Sequence, residues 1–573
     1  MVKVKVLPDE NKFFQIGESM KDEDKVETLL LLVQNVDMFA WGPYDVPGVD
    51  PEFIVHRLDV DPTFPHKKQR PRRSVKEHVK AVKAEVQRLE EARAIREIYF
   101  PEWLANTVVV RKKSGKGKVC VDFTDLNRAC PKDPFPMPKI DQLVNAMCGH
   151  TRMSFLDAFQ GYHQIALALK DQEKTTFITP RANYHYTVMP FRLKNVGATY
   201  QQMMTRMFRD KIGQTVEVYI DDMVVKSKHD ARHVEDLRGV FGVLRQHRLR
   251  LNAEKCAFRV AIGKFLGNLI TNRGIEVNPN QIDAVKCLKP PSNPKEVQVL
   301  TGMLAALNRF ISKFADRYRP FYQLLRKWKG FQWDEECDKA FRDLKEYMAQ
   351  APMLTAPEPG EDLLMYLSVS DRAVSAVLLS DRRIQQPVYY ISKTLVDAKI
   401  RFLPLEKLVL ALIHATRRLS HYFQAHTVYV LTEYPLQTLL RRSDFTGRIA
   451  KWATRLGSYD IWYRPRSSVK GQVLADFVAE FSPKTDRGIV CHMEARRWKV
   501  FVDGASNALR AGAGIVIITL EGIRLEHSFR LGFRASNNEA EYEAFLVGLR
   551  VVSEMGAREV EIHSDSRLIV SQV

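Results

Sequence analysis

Short stretches with a period of two stand out along the chain. From Val216 to Lys226 the text reads V-E-V-Y-I-D-D-M-V-V-K, in which Val216, Val218 and Ile220 alternate with polar or aromatic partners and Val224 and Val225 lead away. That pattern predicts a β-hairpin with Asp221 and Asp222 at its bend. Met153 to Ile165, M-S-F-L-D-A-F-Q-G-Y-H-Q-I, predicts an apolar strand ending in one acid, Asp157. Thr107 to Phe123 predicts two strands, T-V-V-V and K-V-C-V-D-F, joined by the basic loop R-K-K-S-G-K-G. Helical spacing recurs over Lys25 to Phe39, over Ser74 to Ile95 through Val75, Val79, Val82, Val86 and Leu89, and again through Leu300, Leu304, Leu307 and Phe310, with a later helix from Asp338 to Met348.

Pro352 to Pro359 breaks the pattern and marks a boundary. Beyond it, Leu363 to Leu379, Pro387 to Ser392, Leu405 to Leu419 and Val428 to Thr432 predict strand, strand, helix, strand. The polar run Ser482 to Glu494 predicts a linker. Trp498 to Ser506 then predicts a strand carrying Asp503, a helix opens at Ser536-Asn537-Asn538-Glu539-Ala540 and carries Glu541, and the strand Val560 to Ser564 leads to Asp565.

Two adjacent carboxylates on stiff strands repel each other unless a cation neutralises them. Hard divalent cations prefer oxygen ligands, so Asp221 and Asp222, completed by Asp157, predict a metal site able to serve a two-metal nucleotidyl transfer. Read alone, the Asp-Asp pair also fits a solvated turn, because Asp favours turns for local reasons.

The surrounding text resembles the reverse transcriptases of gypsy-class LTR retrotransposons. The resemblance rests on Pro101-Glu102-Trp103-Leu104-Ala105-Asn106, Val121-Asp122-Phe123-Thr124-Asp125-Leu126-Asn127, Lys194-Asn195-Val196-Gly197-Ala198-Thr199-Tyr200-Gln201, Lys264-Phe265-Leu266-Gly267 and the two aspartate stretches. It implies a multidomain α+β and α/β chain: a fingers-palm-thumb polymerase followed by two RNase H-like α/β domains. The expected divisions are a connector (1–50), fingers and palm (51–274), thumb and connector helices (275–355), a first RNase H-like domain (356–481), a linker (482–496) and a second such domain (497–573), incomplete at its C-terminus. A second RNase H suggests the plant Tat-like lineage.

By the same resemblance Asp157, Asp221 and Asp222 are catalytic and hold two Mg²⁺ ions, with Mn²⁺ as substitute. Tyr162 is the steric gate under the incoming sugar, or else a tyrosine closing the core. Phe191 and Lys118 face the nucleotide, and Phe265, Leu266 and Gly267 form the primer grip, although a plain hairpin would read alike. Two departures are visible. Gly117-Lys118 stands where the family has Trp-Arg, and an ammonium grips phosphate less well than a planar guanidinium. Arg192 stands where the family has Gly, so a side chain is expected to intrude on template or nucleotide. In the first RNase H-like domain the family's acids fall at Val369, Leu408 and Glu433, which implies a structural remnant. In the second, Asp503, Glu541 and Asp565 are retained, implying a second two-metal site.

Composition narrows the partners. The 573 residues carry 87 Lys and Arg against 68 Asp and Glu, a net charge of +19 and a pI near 9.4, which suits a polyanion. The expected partners are an RNA template, a DNA primer, their RNA/DNA hybrid and dNTPs; self-association is left open. Lys67, Lys68, Arg70, Arg72 and Arg73 fit phosphate contacts and a solvated face equally well. No apolar run approaches the roughly 20 residues of a membrane span, and Met1 to Glu10 lacks a signal peptide's apolar core, so a cytoplasmic protein without a membrane partner is expected. Seven cysteines show neither a C-x-x-C pair nor zinc spacing and read as reduced thiols. The expected function is RNA-directed DNA polymerase with an RNase H-type ribonuclease. The alternatives are a decayed or host-recruited copy that binds hybrid without efficient catalysis.

Overall fold

The computed structural model describes residues 1–5, 12–42, 45–72, 75–111, 117–326, 331–382, 384–432, 434, 436–441, 448–465, 498–506, 511–518, 524–533, 535–554, 557, 560–564 and 566. The basic loop 112–116, the whole linker 482–496, Glu433 and Asp565 therefore lie outside the described residues. The chain forms two units, Met1–Asn278 and Pro279–Val573. Among the described residues no helix is long and apolar enough to cross a membrane.

The first unit is built on a six-stranded sheet in the order Val2–Lys5, Phe13–Ile16, Ala257–Val260, Arg152–Asp157, Asp222–Ser227, Val216–Tyr219. Its central strands are apolar on both faces: Met153, Leu156, Met223, Val224 and Val225 are all buried. That is what covering both sides of a sheet requires. The helices Val196–Met207 and His233–Gln246 supply buried Tyr200, Met203, Met204, Leu237, Phe241 and Leu244 to the same core.

The connector expected over residues 1–50 is corrected here. Phe13–Ile16 pairs in parallel with Ala257 and Phe258, and Val2–Lys5 extends the edge, so the N-terminal segment is part of the sheet. A charge cluster invisible to periodicity fixes it. Arg259, buried in the strand beside it, reaches Asp24 at 2.9 Å and Glu27 at 3.0 Å on the helix Asp22–Gln34, and Asp230 at 2.9 Å. A buried guanidinium is stable only when its donors are matched in this way.

A second, five-stranded sheet runs Ile95–Glu97, Asn183–Tyr186, Phe177–Ile178, Ala105–Arg111, Gly117–Val121, with the helix Lys76–Glu91 contributing buried Val82, Val86 and Leu89. A three-stranded sheet spans Ile262–Phe265, Asn268–Thr271 and Gly274–Val277.

In the second unit, helices Pro279–Lys286, Pro294–Leu307, Arg319–Arg326 and Glu335–Ala349 precede a five-stranded sheet. The single strand expected over Leu363 to Leu379 is a hairpin, Leu363–Val369 against Ala373–Asp381, because Ser370 turns the chain: its N–H bonds Ala373 O at 2.9 Å and its hydroxyl receives the Ala373 N–H at 2.9 Å. Val428–Leu431 and Ile461–Arg464 then add in parallel. A separate four-stranded sheet orders Arg524–Arg530, Ala511–Ile518, Trp498–Ser506, Val560–Ser564, with the helix Asn537–Glu554 on one face.

Candidate active site

Cross-strand register brings the carboxylates together. Asp222 pairs directly opposite Asp157, and Tyr219 opposite Asp222 closes a two-residue bend made of Ile220 and Asp221. Asp222 thus begins the returning strand rather than sitting in the bend, a one-residue correction. Ile220 holds φ at +54°, strained for a β-branched residue. Gln201 restrains that bend from the neighbouring helix: its amide donates to Val218 O at 3.2 Å, and its oxygen accepts the Ile220 N–H at 2.8 Å. Gln201 appears in the sequence motif but without a role; only the fold reveals the buried bridge.

The electrostatics are those of acids crowded together and partly shielded from water. Burial first, then the charges of Asp157 and Asp222, push the Asp221 carboxyl up to about 7, with Lys255 opposing. Asp222 moves the same way, through burial and Asp157. Asp221 Oδ1 is buried with no hydrogen-bond donor. Both oxygens of Asp157 instead accept from Lys255 Nζ, at 3.0 and 3.2 Å. As placed, no group of three or more His, Cys, Asp or Glu among the described residues has ion-holding geometry. The donor set nevertheless fits a hard cation: three carboxylates from adjacent strands, one with an oxygen that nothing satisfies.

Gly161 is required beside this cluster. A Cβ there would lie 2.9 Å from Tyr200 Oη and 3.1 Å from Asp221 Oδ1. Tyr162 follows it, half-buried, its ring edge-on to Phe191 at 5.0 Å and to Tyr200 at 5.6 Å. Burial and the two neighbouring aspartates drive its hydroxyl well above the usual tyrosine range. Lys118 Nζ lies over the Phe191 ring at 4.6 Å, so Lys118, Phe191 and Tyr162 form one wall. Arg192 adopts φ +72°, the left-handed region that favours glycine. Its side chain is exposed and lines an open cavity of about 450 Å³ with Thr124, Asn127, Arg128, Leu193 and Lys194. Leu266 and Gly267, at φ +47° and +84°, form the tight turn between Phe265 and Asn268. That hairpin seats on the strand of Asp157: a Cβ at Gly263 would fall 1.9 Å from the Phe155 ring.

In the second unit, Asp503 lies on Trp498–Ser506, whose alternate residues Val500, Val502 and Gly504 face the helix, leaving Asp503 on the exposed side. Gly504 lets the helix close in, since a Cβ there would sit 2.3 Å from Glu541 N. The fold thus brings the Glu541 backbone next to the Asp503 strand. In the five-stranded sheet, Leu408 is core, Val369 packs against it, and Lys407 donates to the carbonyls of Asp371 at 2.8 Å and Ser370 at 3.4 Å.

Comparison with known proteins bears on the domains that carry these residues. Residues 110–270 match the family model for reverse transcriptase (RNA-dependent DNA polymerase), 333–430 that for the RNase H-like domain found in reverse transcriptase, and 501–573 a reverse transcriptase-like model. The chain is 28% identical over 388 residues to the retrovirus-related Pol polyprotein from transposon 297 of Drosophila melanogaster, covering 67% of this chain and 36% of that one. It is 30% identical over 386 residues to the polyprotein from transposon opus of the same fly (65% and 38%), and 29% identical over 374 residues to the Tf2-3 polyprotein of Schizosaccharomyces pombe (63% and 28%). The chain thus spans about a third of the length of these curated relatives. Among solved structures, the foamy viral protease-reverse transcriptase in complex with RNA/DNA hybrid matches at TM-score 0.71 and 17% identity, over 97% of this chain and 76% of that one. The same viral protein with dsDNA matches at 0.70 and 18%, over 79% and 96%. These likenesses give the fold: fingers, palm and thumb followed by RNase H-like domains. The chain carries a reverse transcriptase domain and RNase H-like domains, and its homologues are the Pol polyproteins of LTR transposons.

Proposed function

We propose that this chain is the polymerase and ribonuclease part of a gypsy-class retrotransposon polyprotein, of the Tat-like lineage, and acts as an RNA-directed DNA polymerase. The observation that carries the reading is the register of Asp222 opposite Asp157, with Asp221 at the restrained bend and an oxygen left without a donor. Asp157, Asp221 and Asp222 would hold Mg²⁺ or Mn²⁺, whose chemistry there is to acidify a primer 3′-hydroxyl and neutralise a triphosphate. Tyr162, braced by Phe191 and Tyr200, walls the sugar; Lys118 offers a point charge to the triphosphate; and the Phe265-Leu266-Gly267 turn holds the primer end. RNA template, DNA primer, their hybrid and dNTPs are the partners, in keeping with the net charge of +19 and with the hybrid bound by the structurally similar foamy viral enzyme. Asp503, Glu541 and Asp565 are assigned to hybrid cleavage. The first RNase H-like domain is read as a scaffold, with apolar Val369 and Leu408 where acids would be needed.

A second reading, a decayed copy that binds hybrid without efficient chemistry, is favoured by one observation: Arg192 holds glycine's backbone conformation at the edge of the basic cavity. Primer extension on a homopolymer template, with and without Mg²⁺, separates the two. Extension that needs Mg²⁺ and is lost in Asp221→Asn supports the polymerase. Hybrid binding without extension supports the remnant.

A further inference from the structure

Among the described residues, Lys255 is the one cation that forms an ion pair with a palm carboxylate, that of Asp157. Its ammonium straddles Asp157, 3.0 Å from Oδ1 and 3.2 Å from Oδ2, while Asp221 Oδ1 beside it has no donor. Exposed ion pairs are usually loose and contribute little. This one is held at its base. The turn that carries Lys255 is pinned to the Asp157 backbone at both ends: Asn252 N–H donates to Asp157 O at 2.8 Å, and Asp157 N–H donates to Cys256 Sγ at 3.3 Å. The lysine is therefore delivered to Asp157 by the fold, on a stem that remains 62% exposed and free to swing outward. An ammonium and a divalent cation seek the same oxygens but cannot share them, because the two positive charges repel.

We propose that Lys255 is a displaceable counter-ion of the palm site: it neutralises Asp157 while no divalent cation is present, and must be expelled for one to bind. It is a positioning residue that sets the metal concentration at which the site fills. The inference rests on the palm carboxylates being the metal site proposed above, and concerns only how that site is loaded.

The test uses Mn²⁺ titrated into the full chain, free ion being read by electron paramagnetic resonance, with the palm contribution taken as the difference from Asp221→Asn. Lys255→Gln should bind Mn²⁺ roughly tenfold tighter, the size of effect one adjacent charge has on an ionic equilibrium. Lys255→Arg should keep the parent's affinity. In an Asp157→Asn background, Lys255→Gln should add nothing, since the pair is already broken. Equal or weaker binding by Lys255→Gln overturns the proposal. Unfolding midpoints provide a second reading in case uncompensated acids loosen the fold. In EDTA, Lys255→Gln should melt below the parent, and Mn²⁺ should raise its midpoint by more; an equal rise in both proteins also overturns the proposal. If Asp221→Asn leaves Mn²⁺ binding unchanged, the palm metal site itself fails and this inference with it. Asp221-dependent binding that ignores Lys255 defeats this inference alone.

Discussion

Gly161→Ala is the smallest change that reaches the proposed catalytic centre. The added methyl would stand 2.9 Å from Tyr200 Oη, 3.1 Å from Asp221 Oδ1 and 3.2 Å from Ala158 Cβ. Ordinary contact needs about 3.4 Å or more, so all three neighbours must yield by a few tenths of an ångström. Tyr200 is wholly buried, and the bend carrying Asp221 is held through the Ile220–Gln201 hydrogen bond, so neither gives way freely. Overpacking of this kind costs about 1–3 kcal/mol of stability. A carboxylate displaced by a fraction of an ångström from its reacting position costs more in rate, and a drop in kcat on the order of 10²-fold is expected. Single-nucleotide extension on a fixed primer-template measures kcat and the dNTP KM, and urea unfolding measures stability on the same protein. The expected pattern is a large loss in kcat, a modest loss in stability and hybrid affinity within twofold of the parent, roughly the scatter of such assays. Gly161→Ser should be worse than Ala. A Gly161→Ala enzyme that extends at the parent's rate would refute the placement of Asp221 at the reacting centre.

Arg192→Gly should raise the extension rate by removing a side chain from the template side, and should relieve a left-handed backbone worth about 1 kcal/mol; Lys118→Arg should lower the dNTP KM, and the two effects need not add. Slower extension by Arg192→Gly would place that side chain elsewhere. Gly504→Ala drives a methyl into the backbone of Ala540 and Glu541, so it should abolish RNA cleavage in a hybrid while leaving primer extension intact. Loss of both activities would contradict their assignment to separate domains. Acid stability provides a further test through His233, buried between Ser154 Oγ at 2.8 Å and Ser227 Oγ at 2.9 Å and pushed down to about 3 by burial. The unfolded chain takes up this proton near pH 6.5 and the folded one does not, so its contribution is present above that pH. It is lost as pH falls toward 3, by up to about 1.4 kcal/mol per unit. His233→Gln should flatten that slope in urea titrations at pH 4 to 7, and an unchanged slope would contradict it.

Local patterns in the sequence carried the strands, the helices and the candidate acids, because alternation and turn chemistry depend on neighbours along the chain. The stretches at Asp157 and Asp221-Asp222 were legible for that reason, and so was the absence of acids at Val369 and Leu408. What local pattern cannot carry is the partner of a charge or the space beside a glycine. Arg259 reaches Asp24 and Glu27 from more than two hundred positions away, and the strands Val2–Lys5 and Phe13–Ile16 join the central sheet, although residues 1–50 read as a connector. Gln201, Gly161 and Lys255 gained their roles only when strand register brought the Ile220 bend, Asp221 and Asp157 within a few ångströms of them. Likewise the helix over Glu541 meets the Asp503 strand only because Gly504 has no side chain. The sequence by itself determined which groups could do the chemistry. The tertiary structure alone decided which oxygens face one another, which cation reaches them first and where no atom can be added, because those depend on distances through space.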